Sequence, residues 1–499
     1  MAGADSERAA GWSALFSGAN RSIAIIIAVG IALHSANVYL AGAVMPSVAA
    51  DIGGLSMYAW ATTVFVFSAV LGSTAAATLL GRNGARGAYR TAILVVGAGT
   101  VVCAVAPSMP VLLAGRFVQG LGGGLLFALA YSMVRLVLPQ RLWAVAMGLV
   151  SAMWGLGTFS GPAIGGTFAE LHQWRLAFWI VVPVTLFFAA WGAARLPRDA
   201  GRQQRPPAAP LRSVGLLGSA VLVVSAASIS TEAIVNGAGV LAAGVLFAVW
   251  LRHERHAARR LLPAATFSGD GRLRWLYVTM ALLMVAATPE IFVAYFAQHL
   301  QGLGPLAAGY LATAMAAGWT SASLLLSGAE RHRRTILAVS PLVSAAGLGL
   351  LAFVGPLHDG GAPVIASIAV GFALLGWGIG MAWPHLVTGV LETVPADEQD
   401  LAGASVTTVQ LSAAAAGAAI GGTIINLAGF SDPGGVVGAH DAARCLYVAM
   451  LAAPILAFLA LRRGARRDAR VVAADRDEPQ AAAAAAADRD GRRVAVAAS

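Results

Sequence analysis

The chain has 499 residues, of which 58% are hydrophobic and 11% charged, with a mean hydropathy of +0.75. A soluble domain carries about 25% charged residues to solvate its surface, so this composition excludes a single soluble core and makes lipid the solvent for much of the chain. The net charge of +10 does not indicate nucleic acid, because the arginines fall in short clusters between apolar runs rather than along one stripe.

A helix needs about 20 apolar residues to cross a bilayer. Applied from the N-terminus, that length predicts spans near 22–46, 58–80, 88–106, 110–134, 142–168 and 176–194. The first run is too long for a signal-peptide core and lacks a cleavage site, so it is expected to remain as a span. A polar linker follows from Arg195 to Arg212, containing Pro197, Pro206, Pro207 and Pro210. Two spans come next, near 213–231 and 233–251, then a basic stretch from Arg252 to Arg274. Six further spans are expected near 275–297, 306–327, 335–355, 363–388, 402–428 and 443–461.

The fold class is therefore an all-α integral membrane protein with 14 transmembrane helices in the order six, two, six. The domains divide as 1–21, a cytoplasmic N-terminal segment; 22–194, an N-terminal six-helix bundle; and 195–274, cytoplasmic linkers with two inserted transmembrane helices. A C-terminal six-helix bundle follows over 275–461, then a disordered cytoplasmic tail over 462–499 that includes the alanine run from Ala481 to Ala487.

Charge tests that count independently, because cytoplasmic loops collect arginine. With the N-terminus inside, the inner loops hold Arg82, Arg86 and Arg90, Arg135 and Arg141, both basic linkers, and Arg331, Arg333 and Arg334. The outer loops hold only Arg175 and Arg444. Deleting one span would invert every later loop. The two outer blocks also invite comparison as a duplication: the basic turn Gly81-Arg82-Asn83-Gly84-Ala85-Arg86 has a counterpart in Gly328-Ala329-Glu330-Arg331-His332-Arg333-Arg334.

Two spans carry motifs. The fourth contains Arg116-Phe117-Val118-Gln119-Gly120 and then Gly122, Gly123 and Gly124. An arginine at membrane depth needs a polar interior and partners, unless it snorkels from a span end. The fifth contains Gly148, Gly157, Gly161-Pro162 and Gly165-Gly166. Small residues four apart make a groove for a neighbouring helix, and Pro162 removes one backbone hydrogen bond.

These two motifs resemble the RxxQG and Gx8GxxxGPxxGG motifs of the major facilitator superfamily. The segment from Trp174 to Trp179, together with Pro46 and Asp51, is similar to that family as well. The layout of two inserted helices resembles its fourteen-helix drug:proton antiporter branch, over about residues 22–462. The resemblance implies alternating access between two pseudo-symmetric six-helix bundles, with uphill export of drug-like, lipophilic or cationic small molecules driven by proton entry. It implies that Arg116 and Gln119 serve coupling or cavity electrostatics, that the fifth-span glycines and Pro162 shape a sealing seam, and that Arg82, Gly84 and Arg86 form a gating loop. It also implies a monomer in a bacterial cytoplasmic membrane, with both termini cytoplasmic.

Two positions depart from the family pattern. Asn37 stands where relatives carry an acid in the first helix, and Gly81 stands where they carry an Asp in the gating loop. Other groups would then carry the proton. Glu290, in Thr288-Pro289-Glu290, lies inside an apolar run, where a carboxyl either exchanges a proton or is solvated at an outer vestibule. His34 is a second candidate, since imidazole takes up protons near neutral pH, although a lone buried histidine is commonly structural. Tyr295, Gln298, His385 and Gln410 are candidate cavity contacts. Trp154, Trp377, Trp383 and Phe292 serve either as an aromatic wall or as ordinary packing.

A carrier without proton coupling, or an uptake carrier, is the rival suggested by Asn37 and Gly81. A membrane-embedded enzyme or sensor is more remote. The sequence has no HExxH, GxSxG or phosphate loop, and His253-Glu254-Arg255-His256 reads as a solvated basic linker. Cys103 and Cys445 give no metal-ligand spacing. No catalytic residue, metal or cofactor is expected. The expected partners are a small-molecule substrate, protons and the lipid bilayer.

Overall fold

The computed structural model describes residues 12–204, 209–267, 271–359, 361–395 and 398–464. Among them every regular element is helical, as lipid requires of a chain that must satisfy its backbone internally. In order they are α1 (Trp12–Leu15), α2 (Gly18–Ile52), α3 (Trp60–Ala104), α4 (Met109–Val137), α5 (Trp143–Glu170), α6 (Trp174–Trp179), α7 (Val181–Arg195) and α8 (Leu211–Ala227). Then follow α9 (Ala233–His256), α10 (Arg272–Ala286), α11 (Val293–His299), α12 (Pro305–Leu326), α13 (Arg333–Val354), α14 (Gly361–Thr393), α15 (Gln399–Leu427) and α16 (Gly435–Met450). An apolar helical stretch continues beyond α16 to Gly464. The tail predicted to be disordered lies almost wholly outside the described residues.

Eleven of the described helical stretches are long and apolar enough to cross a membrane. One of them, Leu55–Ala104, spans 50 residues and covers two predicted crossings. It is broken at Gly84, whose φ of 67° and ψ of 175° are not helical. The predicted seventh span is the 17-residue helix α8, and the predicted tenth is α12, whose Gly, Ser and Thr content keeps it out of the eleven.

Boundaries differ in two informative places. The first span does not stop at Pro46; α2 runs through it to Ile52 and ends at Gly53 and Gly54, with φ of 72° and 80°. A proline costs one backbone bond, which a long packed helix tolerates, whereas two successive positive-φ residues turn the chain. The ninth span is not one helix. Pro289, lacking an N–H, stands in a 3-10 turn over Thr288–Ile291 between α10 and α11.

In packing, α2 lies on α4 and α5, and α3 lies on α4 and α7; later in the chain α14 receives α12 and α13, and α10 packs on α14 and α15. Two seams join these sets, α5 against α12 and α3 against α15, and α8 lies against both α3 and α15.

The duplication is written in the packing more clearly than in the loops. Gly120 and Gly124 of α4 press on the carbonyls of Phe65 and Ala69, and Gly376 and Gly380 of α14 press on those of Met315 and Trp319, 250 residues on from Phe65 and Ala69, while the two glycine pairs themselves stand 256 residues apart. The same spacing relates Gly161-Pro162-Ala163-Ile164-Gly165-Gly166-Thr167 of α5 to Gly417-Ala418-Ala419-Ile420-Gly421-Gly422-Thr423 of α15.

Candidate functional site

Arg116 is the largest of the fully buried side chains among the described residues, 1% exposed, about two turns into α4. Its Nε donates to the Ala61 carbonyl at 3.2 Å, and its Nη1 donates to the Asn37 carbonyl at 3.2 Å and to Gln119 Oε1 at 3.0 Å. The guanidinium carbon also lies 4.0 Å from the centre of the Phe65 ring. Gln119 in turn donates to Asn37 Oδ1 at 3.1 Å and to Thr100 Oγ1 at 2.9 Å. The side-chain amide of Asn37 donates to the Leu33 carbonyl at 2.8 Å.

Arg116, Gln119 and Asn37 are thus one network fastening α2, both arms of α3, and α4. Each hydrogen-bond partner of the guanidinium is neutral. Burying a charge costs several kcal/mol, so the donor geometry here substitutes for a counter-ion. Thr100, Cys103 and Phe65 complete the surroundings of the pair. Sequence reading missed them because a lone polar or aromatic residue in an apolar run carries no periodic signal.

His34 lies in an aromatic enclosure, with ring centroids 5.6 Å from Phe65, 5.5 Å from Phe127 and 5.8 Å from Trp154. Its Nδ1 is buried without a hydrogen-bond partner. Phe65 therefore contacts both the imidazole and the Arg116 guanidinium. Trp154 joins this wall; Trp383, by contrast, pairs with Trp319.

Glu290 sits in the break between α10 and α11, and its Oε1 is buried without a partner. Tyr39 of α2 lies within electrostatic reach of it. The turn that carries it packs on α12, α15 and α16 of its own half, apart from the Arg116 network.

The glycines of α5 do not act alike. A Cβ on Gly157 would strike Ser35, one on Gly161 would lie 2.8 Å from Leu40 N, and one on Gly165 would lie 2.7 Å from the Leu40 carbonyl. These three seat α2 within the same half. Gly166 instead presses on Leu306 of α12, and Pro162 touches Gly309 of α12, so those two lie on the seam. Gly148 faces only Trp12.

The predicted gating loop is held by the linker that follows α7. Arg86 Nε donates to the Leu196 carbonyl at 2.8 Å, Ala85 N to the Ala200 carbonyl at 2.8 Å, and Gln203 N to the Gly81 carbonyl at 2.9 Å. A Cβ on Gly84 would run into the Arg198 carbonyl. Arg82 lines an open crevice with Asp199, Arg202 and Gln203.

At the arginine-poor end the two halves meet. Tyr58, before α3, has ring centroids 5.8 Å from Phe292 and 5.7 Å from both Tyr295 and Phe430. Tyr295 also stacks on His299 at 3.9 Å, and Gln298 Nε2 is buried without a partner. Asn426 Nδ2 donates to the carbonyls of Ser56 and Ser228, each at 2.8 Å. Arg175, one exception to the charge asymmetry, is neutralised by Asp51 at 2.6 Å, and Asp51 also accepts from the Trp174 indole. The other exception, Arg444, lines an open crevice with Asp432 and Asp441.

The remaining candidates are dispersed. His385 is buried, its Nε2 bonded to the Leu326 carbonyl at 3.0 Å, tying α14 to the end of α12. Gln410 is half-buried on α15. Glu254 corrects the expectation of a solvated linker. It is fully buried, and its carboxylate accepts from Ser213 Oγ and from the backbone of Leu261 and Leu262. An acid at a helix end among arginines looks solvated in sequence, but here it folds the following loop back onto α8 and α9. Among the described residues no group of three metal-ligating side chains converges.

A model of the Major Facilitator Superfamily matches residues 27–418. A Mycobacterium tuberculosis protein named as a probable multidrug-efflux transporter is 39% identical over 461 residues, covering 90% of this chain and 95% of that protein. A triacylglyceride transporter of Mycolicibacterium hassiacum is 26% identical, over 79% of this chain and 77% of its own. Among solved structures, a peptide transporter of the POT type bound to alafosfalin aligns with a TM-score of 0.66 at 14% identity, covering 92% of this chain and 97% of that one.

Proposed function

The chain belongs to the major facilitator superfamily of multi-pass membrane transporters, and from that premise we propose that it exports drug-like, lipophilic or cationic small molecules. The observation that carries this reading is the 39% identity, over 90% of the chain, with a protein named as a multidrug-efflux transporter. Transport proceeds by alternating access between the bundles 22–194 and 275–461, with α8 and α9 as the inserted pair. The matched seams α5–α12 and α3–α15 support it, since a duplicated pair of contacts lets two halves rock about the space between them. Fourteen crossings with both termini in the cytoplasm, in a bacterial cytoplasmic membrane, agree with the arginine asymmetry and with the neutralisation of Arg175 by Asp51.

Export is driven by antiport of protons through Glu290. A half-buried carboxyl in a helix break, with one oxygen buried and without a hydrogen-bond partner, is a group whose charge changes as the surrounding space opens and closes. Arg116 and Gln119 hold the N-terminal half rigid rather than ferry protons. A second reading, transport without proton coupling, is favoured by one observation: Asn37 occupies the place of an acid and is fully engaged as an amide.

The test is accumulation of lipophilic fluorescent cations by cells expressing the protein. Lower accumulation that a protonophore abolishes supports coupled export. Lower accumulation that survives the protonophore leaves export and removes the coupling. Equal accumulation across a broad panel overturns export.

A further inference from the structure

At the arginine-poor end, the last residue of α5 reaches across the seam to the other half. Glu170 Oε1 accepts a hydrogen bond from the backbone N–H of Leu306 at 3.3 Å, in the first turn of α12. Space for the carboxylate comes from Gly304, where a Cβ would lie 2.7 Å from that oxygen. The free N–H groups of a helix start favour an anion. One turn earlier, Gly166 presses on the Leu306 Cα.

The other seam repeats this arrangement. Asn426, next to last in α15, donates to the carbonyl of Ser56 in the turn that leads into α3. One turn earlier, Gly422 lies against Ala59. Gly166 and Gly422, and Glu170 and Asn426, stand at the constant spacing that relates α5 to α15 throughout. Two polar side chains at equivalent places therefore each tie the end of one seam helix to the start of its partner in the other half.

We propose that Glu170 and Asn426 are a duplicated pair of gate latches, one on each seam, that hold the arginine-poor end closed and must let go for that end to open. Both are positioning residues. The proposal rests on the alternating-access reading above. The latches are unlike in kind: Glu170 offers a charged acceptor to a helix start, whereas Asn426 offers a neutral donor that also binds Ser228 at the end of α8. Through that second bond, the Asn426 latch takes in the inserted helices as well. Opening must break both bonds, so losing either favours the open form.

The experiment places spin labels at Val105 and Leu357, exposed positions at this end in the two halves, on a Cys445→Ser background that leaves the buried Cys103 in place. Pulsed electron resonance on protein in lipid nanodiscs then reads the distance distribution without substrate or a gradient. Glu170→Ala is expected to raise the ratio of long to short distances about two- to fivefold, the loss of one solvent-exposed hydrogen bond to a carboxylate. Asn426→Ala should act in the same direction. Leu306→Pro removes the donor in a helix first turn, where proline is tolerated. It should match Glu170→Ala and add nothing in the double variant. Glu170→Gln, which keeps a neutral acceptor, should give a smaller rise.

Distributions for Glu170→Ala and Asn426→Ala that superimpose on the parent would overturn the proposal, as would full additivity of Glu170→Ala with Leu306→Pro. If Glu170→Ala fails to fold, Glu170→Gln and Leu306→Pro decide by the same criteria. Because no substrate enters, latch-dependent distances alongside flat dye accumulation would refute export and keep the latches. Unchanged distances with intact export would do the reverse.

Discussion

Asn37 accepts a hydrogen bond from the Gln119 amide at 3.1 Å while its backbone carbonyl accepts one from Arg116 at 3.2 Å, so a neutral residue sits at the centre of a buried cationic network. An acid at this place would ion-pair with the arginine and bind a proton in competition with it. An amide does neither. The network ties α2, α3 and α4 together, and the carboxyl oxygen without a partner, Glu290 Oε1, lies outside it.

Asn37→Asp therefore tests how the two functions separate. The new carboxyl keeps the acceptor that Gln119 uses, and in its protonated form it also replaces the amide's bond to the Leu33 carbonyl, so the protein is expected to fold with that proton bound. Substrate-driven proton flux in vesicles should rise, to about twice the parent value if a second proton site is created. An unchanged flux would mean that position 37 has no access to protons.

Arg116→Met should be costly to the fold. It removes the guanidinium's bonds to the carbonyls of Ala61 and Asn37 and to the Gln119 oxygen, a loss of about 3–5 kcal/mol by analogy with breaking a buried charged network. Thermal unfolding in detergent would read it as a large fall in Tm. Arg116→Lys should recover only part of the loss, because an ammonium cannot reach three acceptors in the planar geometry of a guanidinium.

The glycines of α5 give a graded series. Gly161→Ala puts a methyl 2.8 Å from Leu40 N and should destabilise by about 1–3 kcal/mol through overpacking of α2. Gly155→Ala meets nothing within 4 Å and should be neutral or slightly stabilising, as alanine is the better helix former. Equal Tm values for the two variants would contradict the close approach of α2.

Much of this architecture is legible in the sequence, and the reasons for the rest are physical. Long apolar runs and arginine-rich loops mark helices because lipid and charge leave few alternatives. Pro46 misled because a packed helix absorbs one missing hydrogen bond, whereas Pro289, the same signal in sequence, does break its helix beside Glu290. The duplication was sought in basic turns, where similarity is weak, although the Ala-Ile-Gly-Gly-Thr run shared by α5 and α15 carries it plainly. Arg116 and Gln119 stood out by their cost in an apolar run. Their neighbours Thr100 and Phe65 did not, because which helix faces which is decided in three dimensions.

Gly84→Ala probes the loop between the two arms of α3. A φ of 67° costs a non-glycine residue about 1 kcal/mol or more, and the methyl would meet the Arg198 carbonyl, so the linker must detach. Substrate binding should persist while the turnover rate falls several-fold, measured as efflux from preloaded vesicles beside equilibrium binding. Loss of both together would place the loop in binding instead of gating.

Proton flux recorded in sealed proteoliposomes on addition of a lipophilic cation tests the central claim most directly, run side by side for the parent protein and Glu290→Gln. Proton-coupled export predicts that the cation stimulates proton movement in the parent, and that Glu290→Gln abolishes this movement while the cation still binds. Cation transport with no proton movement in the parent, or the same proton movement in Glu290→Gln, would contradict it.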